Sequence, residues 1–321
     1  MDSDPNETGP AASAGPVEGL ASPADLARLD VRIAGCRACP RLVAWREEVA
    51  ATKRAAFADQ TYWGRPVPGF GPADASLLVV GLAPAAHGGN RTGRMFTGDR
   101  SGDVLYAALH DVGLASQGTS VSADDGLELY GVRVTSPVHC APPANKPTPE
   151  ERDTCRPWLV RELELLRPTL RAVIVLGAFG WQAALPAFAE AGWTVPRPRP
   201  AFAHGARVTL GRRPEPGSTD SETDPDTDTD TDTETDTDTD SDLVSAFSPG
   251  PGPASASASA SASASASASA SASASASVEL FGCFHVSQRN TFTGRLTPAM
   301  LRQVLSAAAE SAGLTSRPPP G

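Results

Sequence analysis

Apolar residues along the chain fall into two rhythms. Leu77–Gly81 (LLVVG), Val132–Thr135 (VRVT) and Ala172–Leu176 (AVIVL) are short and almost wholly apolar. Such runs suit strands buried on both faces, as in a parallel sheet. Val208–Leu210 and Leu280–His285 are further strand candidates. The segments between them carry helical spacing. Residues 24–56 read as helix broken at Gly35–Pro40, and a helix starting near Ser101 or Gly102 runs through Leu105 and Leu109 to Val112. Thr148-Pro149-Glu150-Glu151 is a helix start, with a Thr cap, Pro in the first position and acids in the first turn. That helix runs to about Leu166, another covers Phe179–Phe188, and Thr297-Pro298 opens a last one to about Ala312. Strands alternating with helices predict an α/β sandwich around a mostly parallel sheet.

Composition shortens the foldable chain. Of 321 residues, 1–24 form a leader without a base or an aromatic, 220–242 alternate Thr and Asp, and 254–277 repeat Ala-Ser. None of these can bury enough apolar surface to offset the entropy of ordering. A single domain over 25–312 is expected, interrupted by a low-complexity insertion at 212–277 and followed by a flexible tail at 313–321. Loop-closure cost grows only logarithmically with length, so a surface loop can carry such an insertion.

The same segments distort the charge. The net charge is −10. Residues 220–242 hold twelve acids and 1–24 hold four, with no base in either, so the rest has 21 acids against 27 bases. A mildly basic core is compatible with a nucleic-acid partner. The N-terminus lacks a basic and apolar targeting signal, and the longest apolar stretch, Leu77–Ala86, is far short of the ~20 residues that span a bilayer. A cytoplasmic protein without a membrane partner is expected.

In such a compartment five cysteines read as metal or cluster ligands before disulfides. Cys36 and Cys39 form a C-x2-C in the loop between helices; Cys140 follows the second strand, and Cys155 lies early in the next helix. Four thiolates from two segments suit structural zinc or an iron–sulfur cluster, and the spacing leaves both open. Cys283, inside the last strand candidate, reads as a core residue.

Ligands of doubly wound sheets bind beyond the carboxyl ends of the strands. Three segments leave such ends: GLAPAAHGGNRTGRMFTGDRSG (81–102), TSPVHCAPPANKP (135–147) and HVSQRNTFTGRLTP (285–298). The first can hold an anion through its free backbone N–H groups and the helix start that follows. It has neither the Gly-Lys-Ser/Thr of a Walker loop nor the G-x-G-x-x-G of a dinucleotide site. Together the loops offer Phe96 for stacking, Asn145 to read an amide edge, Asp99 as a carboxylate and His285 as a donor. Arg91, Arg94, Arg100, Lys146, Arg289 and Arg295 are available for phosphates. Such a set suits a flipped nucleobase.

These three strings, with the four cysteines, resemble the family 5 (B-type) uracil-DNA glycosylases over roughly residues 30–211 and 279–312. The resemblance implies a uracil-glycosylase-type three-layer α/β/α sandwich. It implies a [4Fe–4S] cluster on Cys36, Cys39, Cys140 and Cys155, structural in role, and DNA as the partner of a monomer. His285 would donate to the departing base, and Asp99 would position water or stabilise the cationic sugar. Phe96 and Asn145, with Gly81, Ala83 and Ala85 of the first motif, would hold the base. Arg91, Arg94, Gln288, Arg289 and Asn290 would meet DNA. The first motif carries no polar side chain at Gly81–Ala85, an absence shared by family 5. It fits a breadth that includes deaminated purines such as hypoxanthine. Two other classes compete: a nucleotide-binding α/β enzyme, which would bind free nucleotides tightly, and an iron–sulfur DNA-binding or redox-sensing module, which would release no base.

Overall fold

The computed structural model describes residues 22–213 and 277–314. Its helices are α1 (Pro23–Ala34), α2 (Pro40–Thr52), α3 (Gly89–Thr92), α4 (Arg100–Asp111), α5 (Pro149–Leu166), α6 (Ala178–Glu190), α7 (Gln288–Phe292) and α8 (Pro298–Ser311). Six strands, β1 (Leu77–Val80), β2 (Val132–Thr135), β3 (Ala172–Leu176), β4 (Trp193–Thr194), β5 (Arg207–Arg212) and β6 (Ser277–Cys283), form one sheet in the order β2-β1-β3-β6-β5-β4. Strands β2, β1, β3 and β6 are mutually parallel; β5 runs against β6 and β4 against β5.

Residues on the strands alternate between two cores, as a two-residue side-chain period requires. Leu77, Val79, Ile174 and Phe281 pack with Leu105 and Leu109 of α4 and Leu301 and Leu305 of α8. Leu78, Val80, Val173 and Leu280 pack on the other face with α1, α5 and α6, through Leu29, Leu163 and Trp181. Helices on both faces make the expected three-layer α/β/α sandwich.

Several boundaries differ from the sequence reading. Ser22 and Asp25 form a capping box that starts α1, so the helix begins inside the segment assigned to the leader. Leu314, within the segment assigned to the tail, packs against the first core, and its side chain fills the space over Gly131. Strands β5 and β6 are longer than foreseen, include Arg212 and Ser277, and pair as antiparallel neighbours with Gly211 opposite Ser277. The insertion therefore joins two antiparallel strands; its Thr-Asp tract, and its Ala-Ser tract up to residue 276, lie outside the described residues. The last strand ends at Cys283 rather than His285, which leaves His285 on the loop.

One buried ionic network ties α1, β2 and α5. Arg133 donates to Glu162 (2.5 Å), to Asp30 (2.7 Å) and to the Gly71 carbonyl (3.0 Å), and Thr135 Oγ1 donates to Glu162 Oε2 (2.7 Å). Glu162 and Arg133 are almost wholly buried. Removing one partner strands the other charge without water, which costs about 3–5 kcal/mol. Glu162→Ala should therefore lower the unfolding free energy by about that amount in urea titration; a change within experimental error would show that water reaches Arg133.

Candidate active site

Parallel pairing brings the ends of β1, β2 and β6 to one edge of the sheet, and the three long loops meet there. They enclose a pocket of about 300 Å³ lined by Leu82, Ala83, Pro84, Ala85, Met95, Phe96, Asp99, Ser101, Asn145, His285 and Ser287. An open groove of about 730 Å³ shares Ala85, Asp99, Ser101, Asn145 and Ser287 with the pocket and continues past Arg54, His87, Arg100, Gln288 and Arg289. Apolar walls with a few polar groups, opening on a cationic groove, suit a flat heterocycle attached to an anionic chain.

Asp99 stands where pocket and groove meet. Its Oδ1 accepts from the backbone N–H of Ser101 (2.9 Å) and Gly102 (3.0 Å), making it the N-cap of α4. The helix starts at Arg100, one or two residues earlier than expected, because this cap fixes it. The cap occupies the helix N–H groups that the sequence reading offered to an external anion; the anion there is Asp99 itself. Oδ2 is left over, and it lies so close to Gly88 that a Cβ at that position would overlap it. Burial pushes the Asp99 carboxyl above the ordinary range, partly offset by the two cap bonds.

Phe96, also in the pocket lining, is buried with φ +52°, a conformation costing a bulky residue of order 1–3 kcal/mol. Its ring lies over Gly81, where a Cβ would come within 2.7 Å of it. Gly81 thus admits the ring, and it lies behind Phe96 and outside the residues that line the pocket. The Phe96 and His285 rings are 6.2 Å apart and tilted by 33°. His285 follows β6; its carbonyl accepts from Asn290 Nδ2 (2.8 Å). Burial depresses the imidazole pKa to about 4. Asn145 ends a short turn with φ +56°, after Ala144 at +53°. Asn tolerates that region better than most residues, and the turn places Asn145 in the lining of both pocket and groove.

The cationic candidates divide. Arg289 and Gln288 line the groove. Arg94 does not: its guanidinium is buried in a two-oxygen pair with Asp125 (2.8 Å each) and also donates to Thr97 and Ser120. Arg91 borders the groove, but its nitrogens donate to the His87 carbonyl (2.7 Å), Gln60 (2.5 Å) and the Gly98 carbonyl (3.0 Å). Both brace the glycine-rich loop; Arg94 is buried, and Arg91 keeps its place on the groove lining. Asn290 likewise braces the His285 backbone. On the same loop Phe292, passed over in the sequence, is 72% exposed, with the Arg100 guanidinium 5.9 Å from its ring. Met95, Ser287 and His87 were also missed; only their place in the loops could have pointed to them.

The four cysteines come together around the segment that follows β2, where Ala83 of the pocket lining packs against their cluster. Cys36, Cys39, Cys140 and Cys155 line one cavity with Leu42, Arg46, His139 and Trp158. Cys39 is the N-cap residue of α2. Among the described residues no group of three or more His, Cys, Asp or Glu is placed to hold a metal ion; the thiols border a shared space. Burial pushes the Cys140 thiol up to about 11 and Cys155 further. Four thiolates there require positive charge, and Arg46, almost fully buried, donates to Cys140 Sγ at 2.8 Å. Cys283 sits in the first core, away from this group. No helix of the described residues is long and apolar enough to cross a membrane.

Comparison with known proteins bears on this arrangement. The family model described as the uracil DNA glycosylase superfamily matches residues 68–309. A type-5 uracil-DNA glycosylase of Mycobacterium tuberculosis is 44% identical over 289 residues, covering 90% of this chain and 82% of the relative. Those of Mycobacterium leprae and Thermus thermophilus are 43% and 40% identical, covering 89% and 88% of this chain and 95% and 96% of theirs.

Proposed function

The chain belongs to the type-5 group of the uracil-DNA glycosylase superfamily, and from that premise we propose that it excises uracil from DNA as a monofunctional glycosylase. The observation that carries the reading is the junction of pocket and groove at Asp99, with the His285 and Phe96 rings beside each other in the pocket lining. The flipped base enters the pocket beside Phe96, and Asn145 reads its edge. The sugar then lies at Asp99 and the phosphates in the groove.

Cleavage breaks the bond between C1′ and the base nitrogen. Positive charge grows on the sugar and negative charge on the base. The neutral His285 imidazole donates an N–H to the oxygen that gains charge, and the Asp99 carboxylate faces the cationic sugar. Water adds to C1′ and its proton passes to Asp99 Oδ2, for which a raised pKa is favourable. The products are free base and an abasic sugar. Among the described residues no lysine lines pocket or groove, in keeping with water, not an amine, as nucleophile. The apolar wall at Leu82–Ala85 sets no polar gate against purines, so hypoxanthine is a second substrate.

The test is base release from labelled single and double strands carrying uracil or hypoxanthine, with alkali to reveal abasic sites. Release of uracil supports the reading; none from a fully loaded protein would leave a DNA-binding module as the account. Release of uracil without hypoxanthine would remove only the breadth.

We assign the four cysteines, which line one cavity, to a [4Fe–4S] cluster, a group that takes one thiolate per iron; zinc on the same four thiolates is the competing occupant. When bound, the cluster cross-links the Cys36–Cys39 loop to the segment bearing Cys140 and Cys155. The native protein should hold iron and acid-labile sulfide and absorb in the visible. Cys155→Ser should lose both and expose 36–46 to protease. A colourless, zinc-loaded native protein would overturn this.

A further inference from the structure

We propose that His87 is a phosphate-binding residue: its imidazole N–H donates to the phosphodiester beside the flipped nucleotide, with Tyr62 holding the ring in the tautomer this requires. The assignment rests on the glycosylase reading above and adds a contact to it.

His87 lies on the groove, next to Gly88, over which Asp99 Oδ2 sits. It is therefore on the groove side of the point where the sugar is placed, one step along the nucleotide from the base. The groove around it is cationic, with Arg54, Arg100 and Arg289 along its lining. Arg91, the other guanidinium there, is committed to the loop and holds the His87 carbonyl at 2.7 Å. That bond fixes the His87 backbone, so the ring is presented from a braced position.

A short chain of hydrogen bonds sets the ring's proton. The backbone N–H of Arg54 points to Tyr62 Oη at 3.4 Å, and Tyr62 Oη lies 3.0 Å from His87 Nδ1. With the amide on the Tyr62 oxygen, the phenol hydrogen is free to turn toward Nδ1; Nδ1 is assigned as the acceptor and Nε2 as the protonated nitrogen. Tyr62 is buried and meets the imidazole edge to face at 6.1 Å, so the pair is held by packing as well. Partial burial, then Arg54 and Arg91, lower the imidazole pKa. The ring stays neutral at physiological pH, with a single N–H to give. In a groove walled by arginines an anionic oxygen is the acceptor that suits it, and DNA offers one phosphate per nucleotide.

Binding to duplexes carrying 2′-fluoro-deoxyuridine, which resists cleavage, provides the test. A single uncharged methylphosphonate is moved one position at a time around the uracil. His87→Ala should raise Kd about tenfold on ordinary DNA, as expected for losing a hydrogen bond to a charged group. His87→Gln, whose amide N–H reaches a similar place, should recover most of the loss. At one methylphosphonate position adjoining the uracil, wild type and His87→Ala should bind alike. Tyr62→Phe should give a smaller loss at that same phosphate. Equal affinity of wild type and His87→Ala on all DNAs, or an equal loss at every methylphosphonate position, would overturn the assignment. Base release on ordinary uracil DNA is measured alongside. If the native protein releases uracil while either overturning result is found, only the His87 assignment falls. If it releases none, the glycosylase reading falls and takes the assignment with it.

Discussion

Asp99→Asn should reduce uracil release by ~10²–10⁴ while leaving the fold as stable as before. The two oxygens of Asp99 do different things. Oδ1 caps α4 through Ser101 and Gly102, and Oδ2 lies over Gly88 at the mouth of the pocket. Asparagine keeps a carbonyl oxygen for the cap and is about as good a cap as aspartate. In place of Oδ2 it puts an amide NH₂, which neither accepts a proton from water nor opposes the charge of an oxocarbenium-like sugar. Asp99→Ala loses the cap as well and should cost about 1 kcal/mol of stability on top of the same loss of rate. Single-turnover excision at saturating protein, paired with urea unfolding of both variants, separates the contributions. Full turnover by the asparagine variant would reduce Asp99 to a helix cap. The pH dependence follows from the same carboxyl. Because burial raises its pKa, the rate should fall on acidification at a higher pH than the ordinary carboxylate range.

The legible parts of the molecule were those whose cause is local. Leu77–Val80 and Ala172–Leu176 read as strands because both faces are buried, and a continuous apolar run has few other uses in a chain this polar. Thr148, Pro149 and Glu151 announced α5, and the capping box they form is a contact within four residues. The two-residue β4 and the outer parts of β5 were not legible. Arg207, Thr209 and Gly211 are exposed or half-exposed, and their pairing comes from β6, across the insertion.

Polar residues followed the same division. Arg94 and Arg91 read as phosphate contacts, since cations in a glycine-rich loop usually face solvent. Arg94 is claimed by Asp125, 31 residues on, and Arg91 by carbonyls of its own loop. Tyr62 and His87 are 25 residues apart and nothing local joins them. The cysteine set was recognisable because thiol spacing is a strong signal, but Arg46, which donates to Cys140 from α2, looked like any helical arginine.

His285→Ala should slow uracil release by about 10²–10³, the usual cost of removing one donor from a developing anion. The variant should remain folded, since the ring borders a pocket and Asn290 holds the His285 backbone through the carbonyl, which alanine keeps. Acidity gives a second reading of the same residue. With the folded pKa depressed by burial to about 4, His285 stays neutral through the range where a free histidine would titrate, near 6.5. The wild-type rate should therefore show no inflection between about pH 6 and 7, and its acid limb should belong to Asp99. Stability should respond in the opposite sense to the usual surface histidine. Between pH 6.5 and about 4 the unfolded chain takes up a proton that the folded chain refuses, so this residue lowers stability as pH falls through that window. His285→Ala removes that contribution. The wild type should lose stability relative to the variant on going from pH 7 to pH 4, measured by urea unfolding at each pH. Parallel curves for the two proteins, or a rate inflection near 6.5, would mean that the folded imidazole titrates as a free one. The donor in the reaction would then be an imidazolium only below that pH.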